Sequence, residues 1–270
     1  MPLLLAFESI GEGPPVVILH GLFGSGRNWR GVARELAATH RVLTVDLRNH
    51  GGSPWADSMS YLEMADDVKR LIEREGLQRP ALMGHSMGGK TAMAVALMHP
   101  ELVSRLIVVD IAPVVYVDRL SSFAQAMRDI DTLSAASRSE IQQRLAQAVP
   151  DATVVPFLMQ NLVMRDAHFD WRINLACITA SIESLSDFPS ALRSLRFNGP
   201  VQVIAGGRSD YVQRRDGADF GPMFTRVQLD VIESADHWVH ADEPQRFLAL
   251  ARHALGLTPR PNSSTAAAAA

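Results

Sequence analysis

Residues 81–99 carry the pattern that most narrows what this chain can fold into. Leu82 and Met83 close a short apolar run opened by Pro80, while Thr91 to His99, rich in Ala, Leu and Met and free of Gly and Pro, reads as a buried helix. Between them stands Gly84-His85-Ser86-Met87-Gly88, a G-x-S-x-G pentapeptide. A strand that turns into a helix at one serine forces that serine into strained backbone, and glycines two residues to either side remove the Cβ atoms that would collide there. Ser86 is thereby expected at the carboxyl end of a sheet, with the free N–H groups and positive end of the following helix aimed at whatever it attacks. By composition alone the pentapeptide would arise about once in ten chains of this length. Its position between a strand pattern and a helix pattern is what turns it into a structural expectation.

The rest of the chain fits that reading. Leu3 to Phe7 and Val16 to His20 are apolar runs separated by Gly11-Glu12-Gly13-Pro14-Pro15, expected as an antiparallel pair entering the sheet. Asn28 is expected to cap a helix running to about Ala38, and Arg41 to Asp46 forms the next buried strand. The loop that follows, Asp46 to Trp55, is polar and glycine-rich, and Asp46 and Arg48 are expected to hold each other and the loop. Tyr61 to Arg74 places Leu62, Ala65, Val68, Leu71 and Ile72 at helical spacing. Arg105 to Asp110, Pro200 to Gly206 and Arg226 to Ile232 are further strands, and a helix from about Pro244 to Leu255 closes the chain.

Strands alternating with helices argue a parallel, doubly covered sheet, so the fold class is α/β. Between Ile111 and Pro189 the character changes to helical spacing without a β-run followed by a turn, punctuated by Pro150, Pro156 and Pro189. The expected organisation is therefore a core of residues 1–112 and 190–256, an inserted helical cap of residues 113–189, and a flexible tail over 257–270.

Ser86 is a poor nucleophile alone and needs a base within hydrogen-bond reach, itself oriented by a carboxylate. Of nine histidines, only His237 lies in a loop directly after the last strand pattern, so it is the candidate base. Asp110 and Asp210 each follow a strand at the sheet edge where sites assemble. His20-Gly21-Leu22-Phe23-Gly24 lets the backbone pass close to the serine, which makes the N–H of Leu22, with Phe23 as the alternative, a second oxyanion donor beside that of Met87. Phe23, His85 and Trp238 are expected on the substrate side, although His20 and His85 also read as packing and hydrogen-bonding residues. His240 sits three residues past His237, but further zinc ligands are missing from the pattern.

Five stretches together resemble a known family: Gly-His-Ser-Met-Gly-Gly (84–89), His-Gly-Leu-Phe-Gly-Ser (20–25), Asp-Leu-Arg-Asn-His-Gly-x-Ser-Pro (46–54), Val-Asp-Ile-Ala-Pro (109–113) and His-Trp-Val-His (237–240). Asp236 precedes the last of these where that motif has a glycine. They resemble the α/β-hydrolase superfamily, and within it the YbfF-type serine esterases and related abhydrolase-domain proteins, over nearly all of residues 3–255. Trp171-Arg172-x-Asn174 resembles the same subgroup. Many superfamily members carry the acid at the position of Ser209, with Asp210 one step further; the YbfF-type subgroup implies Asp110 instead.

The resemblance implies hydrolysis of a carboxylic ester, or of a thioester, through an acyl-enzyme, with no metal or organic cofactor. A carbon–carbon bond hydrolase and a non-catalytic ligand binder on the same fold are the alternatives.

The net charge of −3, from 26 basic and 29 acidic residues, gives no bulk attraction to nucleic acid or anionic membrane. No run approaches the roughly 18 apolar residues of a membrane span. Met1 to Phe7 lacks a basic start and soon meets Glu8, so it reads as a first strand rather than a signal peptide. One cysteine, Cys177, suits a reducing cytoplasm and reads as a packing residue. Oligomeric state is not legible.

Overall fold

The computed structural model describes residues 1–118, 120–149, 151, 153–214 and 217–258. Pro150 and residues 259–270, most of the expected tail, lie outside the described residues. In chain order the elements are β1 (Phe7–Ile10), β2 (Pro15–Leu19), α1 (Arg30–Leu36), β3 (Arg41–Val45), α2 (Tyr61–Arg74), β4 (Ala81–His85), α3 (Met87–Met98) and β5 (Arg105–Val109). There follow α4 (Ser121–Arg128), α5 (Arg138–Ala148), α6 (Val155–Leu158), β6 (Leu162–Arg165), β7 (His168–Trp171) and α7 (Leu175–Ser186). The chain then returns through β8 (Val201–Gly206), β9 (Val227–Ile232), α8 (Val239–Asp242) and α9 (Pro244–Ala254).

Seven strands form one sheet in the order β1-β3-β2-β4-β5-β8-β9, parallel throughout except for β1. The period-two pleat sorts its residues into two cores. Val17, Leu19, Leu43, Val45, Leu82 and Val108 face α2 and α3, whereas Val16, Ile18, Val42, Met83, Ile107 and Val109 face α1 and α9. Burial on both faces is why these strands read as continuous apolar runs. The α/β class and the parallel, helix-covered sheet are as expected from sequence.

Local details differ. The first strand begins at Phe7, not Leu3, and β1 pairs antiparallel with β3 rather than with β2. The Gly11–Pro15 link is therefore no tight hairpin; it leaves room for β3 between the two strands. Asn28 does not cap an α-helix. It sits inside a 3-10 turn, Gly26–Trp29, where its side-chain oxygen accepts from Ser25 N at 2.7 Å, and α1 starts only at Arg30. Leu62 lies on the exposed side of α2, whose buried face is Tyr61, Met64, Ala65, Val68, Leu71 and Ile72.

The segment between β5 and β8 is not helical throughout, since β6 and β7 form an antiparallel hairpin. Its two turn residues, Asp166 and Ala167, both have positive φ (46° and 68°), as a type I′ two-residue hairpin turn requires. No glycine marks that turn, so the sequence carried no signal for it.

Candidate active site

Ser86 follows β4 and opens α3 with φ 52° and ψ −121°, a left-handed conformation that a serine adopts only under constraint. The constraint is visible in its neighbours. A Cβ on Gly84 would press into the carbonyl of Gly88, and a Cβ on Gly88 into the carbonyl of Leu19. Ser86 N donates to Val109 O at 3.1 Å, and Ser86 O takes the amides of Gly89 and Lys90, so the bend is fixed from both sides.

At the end of β5 Asp110 has φ 48° and is fully buried. Its Oδ1 accepts from Gly206 N at 2.9 Å; its Oδ2 accepts from the Ser209 hydroxyl and faces His237 Nδ1 at 2.8 Å. A carboxylate oxygen can only accept, so His237 donates to Asp110 through Nδ1. Asp210, the alternative carboxylate, is exposed and borders a different hollow, beside Val117 and Asp219. Among the described contacts of His237, only Asp110 supplies a carboxylate to its ring. Ser209 holds Asp110 through its hydroxyl, a role that sequence reasoning missed.

Two further side chains hold His237. Tyr211 stacks on it at 4.1 Å between centroids, the His85 ring lies 4.5 Å away, and His85 Nε2 donates to His237 O at 2.9 Å. Burial and the neighbouring His237 push His85 well below the ordinary histidine range, which suits a neutral ring donating one hydrogen. His240 stacks on Trp29 at 4.1 Å, and burial lowers it to about 4. Among the described residues, no group of three or more His, Cys, Asp or Glu is arranged to hold a metal ion.

The N–H groups of Leu22 and Met87 hydrogen-bond to no described protein group, whereas Phe23 N donates to His50 Nε2 at 3.3 Å. Phe23 N is thus engaged within the protein, unlike the amides of Leu22 and Met87. The His50 ring is oriented for this by Nδ1, 2.9 Å from Arg48 O, and burial pushes it down to about 3.

Ser86 and His237 border one cavity of about 880 Å³, together with Leu22, Phe23, His85 and Trp238. Phe123 and Phe157 of the β5–β8 segment also line it, but Met127, Leu158, Met159 and Trp171 are buried in that segment's own packing. Asp46 and Arg48 do not hold each other. Asp46 accepts the amides of Gly26 and Gly52, while Arg48 pairs with Asp67 at 2.7 Å and Glu63 at 2.9 Å.

A family model described as alpha/beta hydrolase fold matches residues 14–244. The sn-1-specific diacylglycerol lipase ABHD11 of Mus musculus is 37% identical over 243 residues, covering 87% of this chain and 78% of that protein. Esterase YbfF of Escherichia coli strain K12 is 31% identical over 242 residues, covering 89% of this chain and 92% of its own length. Among solved structures, a marine microorganism esterase superposes with a TM-score of 0.89 at 34% identity, over 95% of this chain and 100% of that one.

Proposed function

This chain belongs to the α/β-hydrolase fold family, and from that premise we propose that it is a carboxylic ester hydrolase working through an acyl-enzyme on Ser86. His237 Nε2 takes the Ser86 proton as the hydroxyl attacks the ester carbonyl, and Asp110 keeps the imidazole in the required tautomer and supports the imidazolium that forms. The N–H groups of Leu22 and Met87 receive the oxyanion, each worth about 2.7–4 kcal/mol in the transition state. His237 then passes the proton to the leaving alcohol and later activates the water that releases the acid. Residues 113–189 act as a cap whose Phe123 and Phe157 give the acyl or alcohol chain an apolar wall.

The observation that carries this reading is the 2.8 Å contact between His237 Nδ1 and buried Asp110, with His237 and strained Ser86 bordering the same cavity. The esterase and lipase names of its relatives point the same way. A cytoplasmic setting, argued from the single cysteine, belongs to the same proposal; no helix among the described residues is long and apolar enough to cross a membrane.

The test has two arms. A fluorophosphonate probe should label the wild-type chain and not Ser86→Ala, and a series of p-nitrophenyl esters and acyl-coenzyme A thioesters of rising chain length should be turned over. Folded wild-type protein that neither takes the probe nor cleaves any member of the series would overturn the assignment.

A further inference from the structure

Lys90 lies one helical turn beyond Ser86 on α3 and has no part in the acyl-transfer scheme. It is 1% exposed. Burial pushes Lys90 down to about 7, and its charged form is held because every hydrogen finds an acceptor: Nζ donates to Val114 O at 2.9 Å, Ser186 O at 3.0 Å and Asp187 O at 2.8 Å. The positions of those carbonyls in the chain matter more than their number. Val114 begins the segment that leaves the sheet after β5, whereas Ser186 ends α7 and Asp187 begins the return. The two roots also meet directly, through Tyr116 N to Ser186 O at 2.9 Å. The ammonium stands 4.7 Å from the centre of the Tyr116 ring, within cation–π range.

We propose that Lys90 is a positioning residue: one ammonium pins both roots of the β5–β8 segment to the helix that carries the nucleophile, and so sets where the segment stands over the cleft. Two contacts extend its reach to the chemistry. Lys90 and Ser86 border the same narrow space of about 40 Å³ with Leu22 and Met87. Tyr116 Oη donates to Tyr211 O at 2.5 Å, and the Tyr211 ring is the one stacked on His237. The effect of Lys90 on turnover rests on the ester-hydrolase reading; its effect on the segment does not.

The experiment compares wild type with Lys90→Met, which keeps an unbranched side chain without donors, and Lys90→Gln, which retains two hydrogens. In Lys90→Met, KM for a p-nitrophenyl octanoate should rise about tenfold, as expected on losing hydrogen bonds to a charged group, while KM for the acetate ester stays within about twofold. Hydrogen exchange in peptides covering 113–118 and 185–188 should quicken about tenfold relative to β4, with Lys90→Gln between the two. A folded Lys90→Met with wild-type KM and root exchange overturns the proposal, as does exchange that quickens equally in β4, which would mark a merely structural lysine.

If neither variant folds, wild type decides: the Tyr116 amide should exchange as slowly as the β4 amides, and exchange at the rate of an exposed loop overturns the clamp. Wild type that neither takes the fluorophosphonate nor cleaves esters would sink the hydrolase reading alone, and the exchange measurements would still judge Lys90.

Discussion

Asp110 is surrounded by donors: an amide on one oxygen, a serine hydroxyl and an imidazole on the other, with no exposed surface. Replacing it by Asn keeps the volume but puts the wrong hydrogen-bonding group against Nδ1, so kcat should fall by about four orders of magnitude, the cost of a lost triad carboxylate. Asp210→Asn, altering an exposed side chain, should stay within about threefold. Steady-state kinetics on one ester separate the two, and the reverse ranking would return the acid to Asp210. Ser209→Ala removes a hydroxyl bonded to a charged group in a buried site and should lower kcat by about ten- to a hundredfold. The same pair of residues shows what sequence could resolve. Both aspartates were legible as residues following strands, but the choice between them depended on which one the His237 loop reaches.

At the scale of elements, the loop from Asp46 to Trp55 is bolted to α2 by Arg48. Its guanidinium forks onto Asp67 at 2.7 and 3.1 Å and adds Glu63 and the carbonyl of Ser58. Arg48 is 3% and Asp67 0% exposed, so removing either partner leaves an uncompensated buried charge. Arg48→Ala should cost about 3–5 kcal/mol, and a volume-matched apolar replacement of both partners should recover most of it. Urea unfolding of the two variants checks this, and a loss below about 1 kcal/mol in Arg48→Ala would contradict it. The expectation that Asp46 and Arg48 hold each other failed for a general reason. Adjacency in the chain brings no contact by itself: Asp46 takes the amides of Gly26 and Gly52, and Arg48 takes the carboxylates of Glu63 and Asp67 on α2.

For the whole molecule, five buried histidines favour the neutral form inside the fold. Burial is the leading cause at His20, His40, His50, His85 and His240, and all five lie below their ordinary range, His50 at about 3 and His240 at about 4. In the unfolded chain each titrates near 6.5. As pH falls below that value the unfolded state takes up protons that the native state refuses, so stability is intact at pH 7 and declines from about pH 6.5 towards 4. Each histidine contributes a slope of at most about 1.4 kcal/mol per pH unit. Urea midpoints at pH 7, 6 and 5 should fall in that order; a constant midpoint would refute the neutral cluster.

What the sequence determined by itself was local. Apolar runs of strand length, glycines where a Cβ would strike a carbonyl, and the strand–serine–helix bend are properties of a few adjacent residues, and they carried the α/β class, most strand positions and Ser86. Only the tertiary structure decided that β3 lies between β1 and β2, that Asp110 rather than Asp210 faces His237, that Phe23 N is taken by His50, and that Lys90 meets both roots of the β5–β8 segment. A residue's chemistry states that a buried charge or amide must be satisfied. Which group satisfies it depends on what packing brings within about 3 Å, and those partners lie tens of residues or more apart in the chain.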